Sequence, residues 1–183
     1  MGEMKPKLSI GVCVLISLAL VLLGLGYGTY SGFADDRKQA VELLEGENGL
    51  AGVMSYRGSD GLNLCVVAER HLAGDSDVAA LHALSQKLSD GQGTMAEIAA
   101  RSKELDALVS AVRQKLVDKD SFRQSERDQR YLAMLESDLN SLAQSDLANT
   151  YNKAAEKFNQ RLNDTLMGKL ARLLGVTPCE LYE

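Results

Sequence analysis

Apolar and polar positions fall into two regimes along this chain. From Leu8 to Tyr27 the run LSIGVCVLISLALVLLGLGY carries no charged side chain. About 20 such residues cross a hydrocarbon core as a helix, whereas a core helix of a soluble domain keeps a polar face. Residues 8–28 are therefore expected to form a transmembrane helix behind a short tail, 1–7, with residues 33–183 as a helical domain.

Beyond the span, apolar residues recur every three or four positions, the period of a helix with one buried stripe. Asp35 and Asp36 can open a first helix with Val41 and Leu44 on one face, continuous with the membrane helix or separate from it. Glycines 46, 49, 52, 58 and 61 interrupt the next stretch. Ser59 and Asp60 can then cap a helix holding Leu62, Cys65, Val66 and Leu72, stopped near Gly74. Asp75 or Asp77 caps the next, with Val78, Leu81, Leu84 and Leu88 inward and Gly91 and Gly93 at its end. Thr94 and Glu97 have the spacing of a capping box ahead of Ile98, Leu105, Leu108, Val112 and Leu116. Asp120 or Ser121 caps a helix carrying Leu132, Leu135, Leu139 and Leu142, a heptad seam of coiled-coil type. Ser145 can cap the last long helix, striped by Leu147, Tyr151, Ala155, Phe158, Leu162 and Leu166. The expected fold is all-α: a transmembrane helix followed by an antiparallel helical bundle with short loops.

Charge gives the span a direction. Lys5 and Lys7 precede it, and Asp35 and Asp36 follow, then Arg37 and Lys38. The positive-inside tendency then puts the N-terminus in the cytoplasm and the bundle outside the cell membrane. Gly32-Phe33-Ala34 before Asp35 also fits a peptidase site, so a cleaved signal peptide and a secreted adaptor are the alternative. Gly24, Gly28 and Gly32 recur every fourth residue, a row that either lets a second membrane helix approach closely in a homo-oligomer or reflects only how common glycine is near the ends of membrane helices.

Composition narrows the chemistry. Aromatics are 5% of the 183 residues, tryptophan is absent and the net charge is −5. The core must come from Leu, Val and Ala, and an acidic domain repels phosphate backbones, so nucleic acid is not an expected partner. Cys65 and Cys179 do not make a disulfide framework, although export would permit a bridge between them. His71 and His82 have no carboxylate or cysteine at ligand spacing on their own helices, and no zinc or phosphate-loop motif occurs, so neither a metal nor a cofactor is expected. Glu126 with Asp128, and Glu136 with Asp138, flank arginines and read as a solvated charged face. Asn149, Asn152, Asn159 and Asn163 fall within roughly 80° of one another at about 100° per residue. This row either fixes a helix–helix register through its amides or forms a polar strip for a partner.

The C-terminal quarter is more specific. It reads Tyr151-Asn152, Phe158-Asn159, then Leu170-Ala171-Arg172-Leu173-Leu174-Gly175, Pro178 and Tyr182. This resembles the end of LemA family proteins, where a YN…FN helix is followed by an LAxLLGxxP segment and a closing aromatic. Arg57, Asp60, Leu62, Asn63, Leu64 and Val66 are similar to the family's basic-then-DLIPNLV segment, one residue short and with Gly61 near the missing proline. The family's acidic and arginine residues before the YN pair are replaced by Ser141 and Ala148. The resemblance implies one membrane helix and a bundle of long helices. Tether, bundle and acidic surface together suggest a structural or interaction protein of a bacterial envelope, binding other envelope proteins without catalysis. The alternative is an envelope or secreted ligand-binding protein or enzyme with an inter-helix pocket.

Overall fold

One helix, α1 (Ile10–Glu45), carries the chain from the apolar segment into the bundle without a break. The computed structural model describes residues 9–143 and 146–183. The tail at 1–7, the first residue of the span and the cap expected at Ser145 lie outside them. An 18-residue window near the N-terminus has a mean hydropathy of 2.5, with none of it buried against protein. Phe33 is the first buried side chain along the described residues. Asp35 and Asp36 sit inside this helix and do not cap one.

Among the described residues seven more helices follow: α2 (Leu50–His71), α3 (Ser76–Ser89), α4 (Met95–Val117), α5 (Asp120–Arg123), α6 (Glu126–Ala143), α7 (Leu147–Asp164) and α8 (Leu166–Leu173). No strand occurs among the described residues, and the fold is an all-α bundle. Helix α2 is its hub, packing against α1, α3, α4, α6 and α7. Helix α7 lies along the upper part of α1, and α8 folds back against both.

The expected break in α2 does not exist. The helix runs through Gly52, Gly58 and Gly61, and Ser59 and Asp60 are interior residues. Ser59 Oγ donates to the Ser55 carbonyl at 3.1 Å, and does not cap. The glycines are there for contact. A Cβ on Gly58 would stand 2.3 Å from the Ser89 nitrogen, and one on Gly61 2.2 Å from Ser85 Oγ. Burial on several sides also explains why α2 has no clean stripe: Leu50, Met54, Leu64, Cys65, Val67 and Ala68 are all in the core, while Val66 points outward.

This contrast gives a paired prediction. Gly52 has nothing within 4 Å of an added Cβ, so Gly52→Ala is expected to stabilise by about 0.5–1 kcal/mol through helix propensity. Gly58→Ala meets backbone, and its overpacking outweighs that gain for a net loss of about 1–2 kcal/mol. Thermal unfolding of the two variants in detergent checks the sign; equal shifts would show that α2 and α3 are not pressed together.

Elsewhere the stripes fall as expected. Asp75 caps α3 by accepting from the Asp77 amide at 2.8 Å. Val78, Leu81, Leu84 and Leu88 are buried, and the capping box of Thr94 and Glu97 opens α4. Full burial of such a leucine contributes about 1.5–3 kcal/mol. The helix expected from Asp120 onward is two pieces. A single turn, α5, buries Phe122, and Ser125 then starts α6 by accepting from the Asp128 amide at 3.4 Å. In α6, Leu132, Leu135 and Leu139 are buried against the hub and Leu142 is half-buried. Leu166 is not on the α7 stripe. The chain breaks at Thr165, whose hydroxyl accepts from the Gly168 amide at 2.9 Å and begins α8.

Candidate functional site

The C-terminal segment after α8 is an extended strap laid along α7. Gly175, at φ 98°, makes the left-handed turn out of α8 that glycine adopts without strain. The strap then runs antiparallel to α7. Asn159 Nδ2 donates to the Cys179 carbonyl at 2.8 Å, and the Cys179 amide returns 2.8 Å to Asn159 Oδ1. One step further, Asn152 Nδ2 donates to the Tyr182 carbonyl at 2.7 Å, and the Tyr182 amide returns 2.8 Å to Asn152 Oδ1. Between them the Tyr151 hydroxyl donates to the Glu180 carbonyl at 2.5 Å.

The spacing is dictated by two periods. Asn152 and Asn159 are two helical turns apart, about 10.5 Å. Cys179 and Tyr182 are three extended residues apart, about 10 Å. Each asparagine therefore meets one backbone N–H and C=O, as a neighbouring strand would. Tyr182 closes the strap with its hydroxyl 3.1 Å from Met54 Sδ on α2. Desolvation, then the neighbouring Cys179 and Glu180, push the Tyr151 hydroxyl up to about 12, so it stays a neutral donor.

The other two asparagines do different work. Asn149 donates to Asp146 Oδ1 at 2.9 Å at the start of α7, and Asn163 Oδ1 accepts from Arg172 of α8 at 2.9 Å. The paired amides of Asn152 and Asn159 thus bond a strap and not a second helix.

A second constellation ties α2, α5 and α6. His71 Nε2 lies 2.9 Å from Asp128 Oδ2, and its Nδ1 lies 3.0 Å from Ser121 Oγ. Arg70 donates to Asp128 Oδ1 at 2.6 Å, and Ser125 Oγ donates to Oδ2 at 3.0 Å. Asp128 is not on a solvated face but buried, because Arg70 and His71 reach it from another helix. The bond from His71, then those from Ser125 and Arg70, hold its carboxyl below the usual range against the opposing pull of desolvation. The run Ser121–His71–Asp128 has the residue types of a hydrolytic triad, but its carboxylate is shared among three donors. The imidazole is wedged edge-on against Phe122, centroids 5.5 Å apart. Held this way, the ring works as a crosslink.

No family model, curated protein or solved structure matches the chain.

Arg57 is buried in the hub, where its guanidinium bonds Ser102 and Asp106 of α4. Glu136 of α6 pairs with Arg113 of α4. Lys115 reaches both Asp75, at 2.8 Å, and Asp77, at 2.9 Å, at the start of α3. Each cluster closes one helix onto another. The cysteines are free and separately placed. Cys65 Sγ faces the Val78 carbonyl at 3.7 Å, its thiol pushed up to about 11 by desolvation and Glu69. Cys179, on the strap itself, is buried against the bundle.

At the end of the bundle nearest the apolar segment, Phe33 packs edge-on against Phe158 with centroids 6.5 Å apart, and the Arg161 guanidinium lies 4.8 Å from the Phe33 ring centre. Arg161 also pairs with Asp36. A cleft of about 270 Å³ lies between α1 and α7 beside this pair, lined by Ala40, Leu43, Ala154 and Lys157. The glycine row is open: a Cβ on Gly24, Gly28 or Gly32 would meet nothing within 4 Å.

Proposed function

We propose that this chain is a divergent LemA-like, single-pass membrane protein that displays its bundle on the outer side of the cell membrane. Its role is structural: binding other envelope proteins, with no reaction of its own. The observation that carries the reading is α1, whose apolar half is uncovered by protein and whose other half is built into the bundle. Phe33 supports an uncut chain, since cleavage between Ala34 and Asp35 would delete a ring from the core. The LemA resemblance gains a physical rationale from the strap. Tyr151, Asn152, Phe158, Asn159, Ala171, Gly175 and Tyr182 act in one unit of helix, turn and strap. Leu170 is half-buried on α8, Leu174 ends that helix, and Pro178 precedes Cys179 on the strap.

Orientation is tested with an exposed thiol, because Cys179 is buried. Glu104→Cys on the solvent face of α4 is expected to react with a membrane-impermeant maleimide on intact cells, at the mass of the full chain. Reaction only after lysis would put the bundle in the cytoplasm; reaction on a shortened chain would establish the secreted form. Self-association through the open glycine row is expected to fall in Gly28→Leu, read with a membrane-helix dimerisation reporter. An unchanged signal would remove the homo-oligomer from the proposal.

A further inference from the structure

Helix α8 presents its apolar side away from the protein. At about 100° per residue, Leu166, Leu170 and Leu173 fall within about 60° of one another. Leu166 is 80% exposed and Leu173 85%. The opposite side carries the small residues: Gly168 and Ala171 are buried against the bundle. On Gly168 a Cβ would stand 2.4 Å from the carbonyl oxygens of Arg161 and Leu162. The packing side of α8 is therefore already filled, and Leu166 and Leu173, with the half-buried Leu170 between them, are left for something else. Met167 and Leu174, also exposed, widen the apolar surface, and Lys169 and Arg172 flank it.

The place of α8 in the fold identifies what covers that surface. Its first turn meets α1 where the apolar segment ends: Thr29 Oγ1 lies 3.6 Å from Met167 Sδ. The turn after α8 lines a small cavity with Tyr30, Ala34 and Arg37, and Arg37 Nε donates to the Thr177 carbonyl at 3.1 Å. Along α1, Ala34 is about 7 Å and Arg37 about 12 Å beyond Thr29, against about 12 Å for the length of α8, so α8 starts at the level of Thr29 and the turn after it sits beside Tyr30, Ala34 and Arg37. Tyr27, 76% exposed, and the exposed Tyr30 stand at the same level, where tyrosines collect at a bilayer interface. An amphipathic helix with leucines on one side and basic flanks is the form that lies in the headgroup–acyl boundary.

We propose that α8 is a second membrane contact: an interfacial helix that rests its Leu166–Leu170–Leu173 side on the leaflet from which α1 emerges and fixes the tilt of the bundle. This rests on the anchor reading above, and the test separates the two. The chain has no tryptophan, so one introduced residue reports alone. Leu173→Trp and Leu166→Trp replace exposed side chains, and Leu20→Trp marks the span. Each full-length variant is reconstituted into vesicles of phosphatidylcholine and phosphatidylglycerol, with and without lipids brominated high on the acyl chain.

Blue-shifted emission that brominated lipid quenches at positions 166 and 173, as at position 20, is the expected result. Quenching at position 20 with water-like, unquenched emission at 166 and 173 overturns the α8 inference and leaves the anchor standing. Blue-shifted but unquenched emission at 166 and 173 would mean that protein covers the leucines, and it overturns the inference equally. No quenching at any of the three positions overturns the anchor and α8 together.

Discussion

Asn159→Ala is expected to destabilise the full chain by about 3 kcal/mol. Two hydrogen bonds are lost, worth about 1 kcal/mol each net, and the amide of buried Cys179 is left unsatisfied for about 1 kcal/mol more. For a domain of this size the loss is a fall of about 6–12 °C in the midpoint of thermal unfolding. Asn152→Ala should cost less, about 1–2 kcal/mol, because water reaches the half-buried end of the strap at Tyr182. A chain ended after Gly175 decides the mechanism. That truncation deletes both of Asn159's partners, so Asn159→Ala should have little further effect in it. An undiminished cost there would show that Asn159 acts on something other than the strap. A second readout is chemical. The strap holds the Cys179 thiol against the bundle, and weakening it should speed maleimide labelling of that residue in a Cys13→Ser background.

The strap also marks where sequence reading stops. The row of asparagines was visible because side chains announce polarity at a helical period. Their partners were not visible, because they are backbone groups of residues 179 and 182, and backbone carries no signature. The one available clue was metrical: seven helical residues and three extended ones cover the same distance. Local signals with local causes read well. Thr94 and Glu97 bond each other, and Val78, Leu81, Leu84 and Leu88 need only one buried side. Signals with distant causes misread. Gly58 and Gly61 look like helix breakers until Ser85 and Ser89 of α3 are in place against them. Asp128 looks solvated among Glu126, Arg127 and Arg130 until His71 and Arg70 arrive from α2. Leu166 keeps the α7 period by accident of spacing, while Thr165 ends that helix and caps the next.

Asp128→Ala is the other substitution expected to have a large effect, about 3 kcal/mol. It removes a buried carboxylate that three donors share, and it strands the half-buried His71 and the charge of Arg70. Breaking a buried ionic cluster from one side costs about 3–5 kcal/mol, and the partial exposure of Arg70 puts this case at the low end. The sign with pH follows from the lowered carboxyl. In the unfolded chain an aspartate titrates near about 3.9; in the fold Asp128 titrates lower. Its ionised form is thus favoured by folding. The stabilisation is complete above the unfolded value and is lost as pH falls through the folded one. Unfolding free energy measured from pH 6 down to pH 2 should decline in the parent chain and decline less steeply in Asp128→Ala. Asp75, lowered by Lys115 and the Asp77 amide, keeps part of the acid slope in both. Identical slopes in the two proteins would mean that Asp128 is as free to protonate in the fold as outside it, and that the His71 crosslink does not hold α6 to the hub.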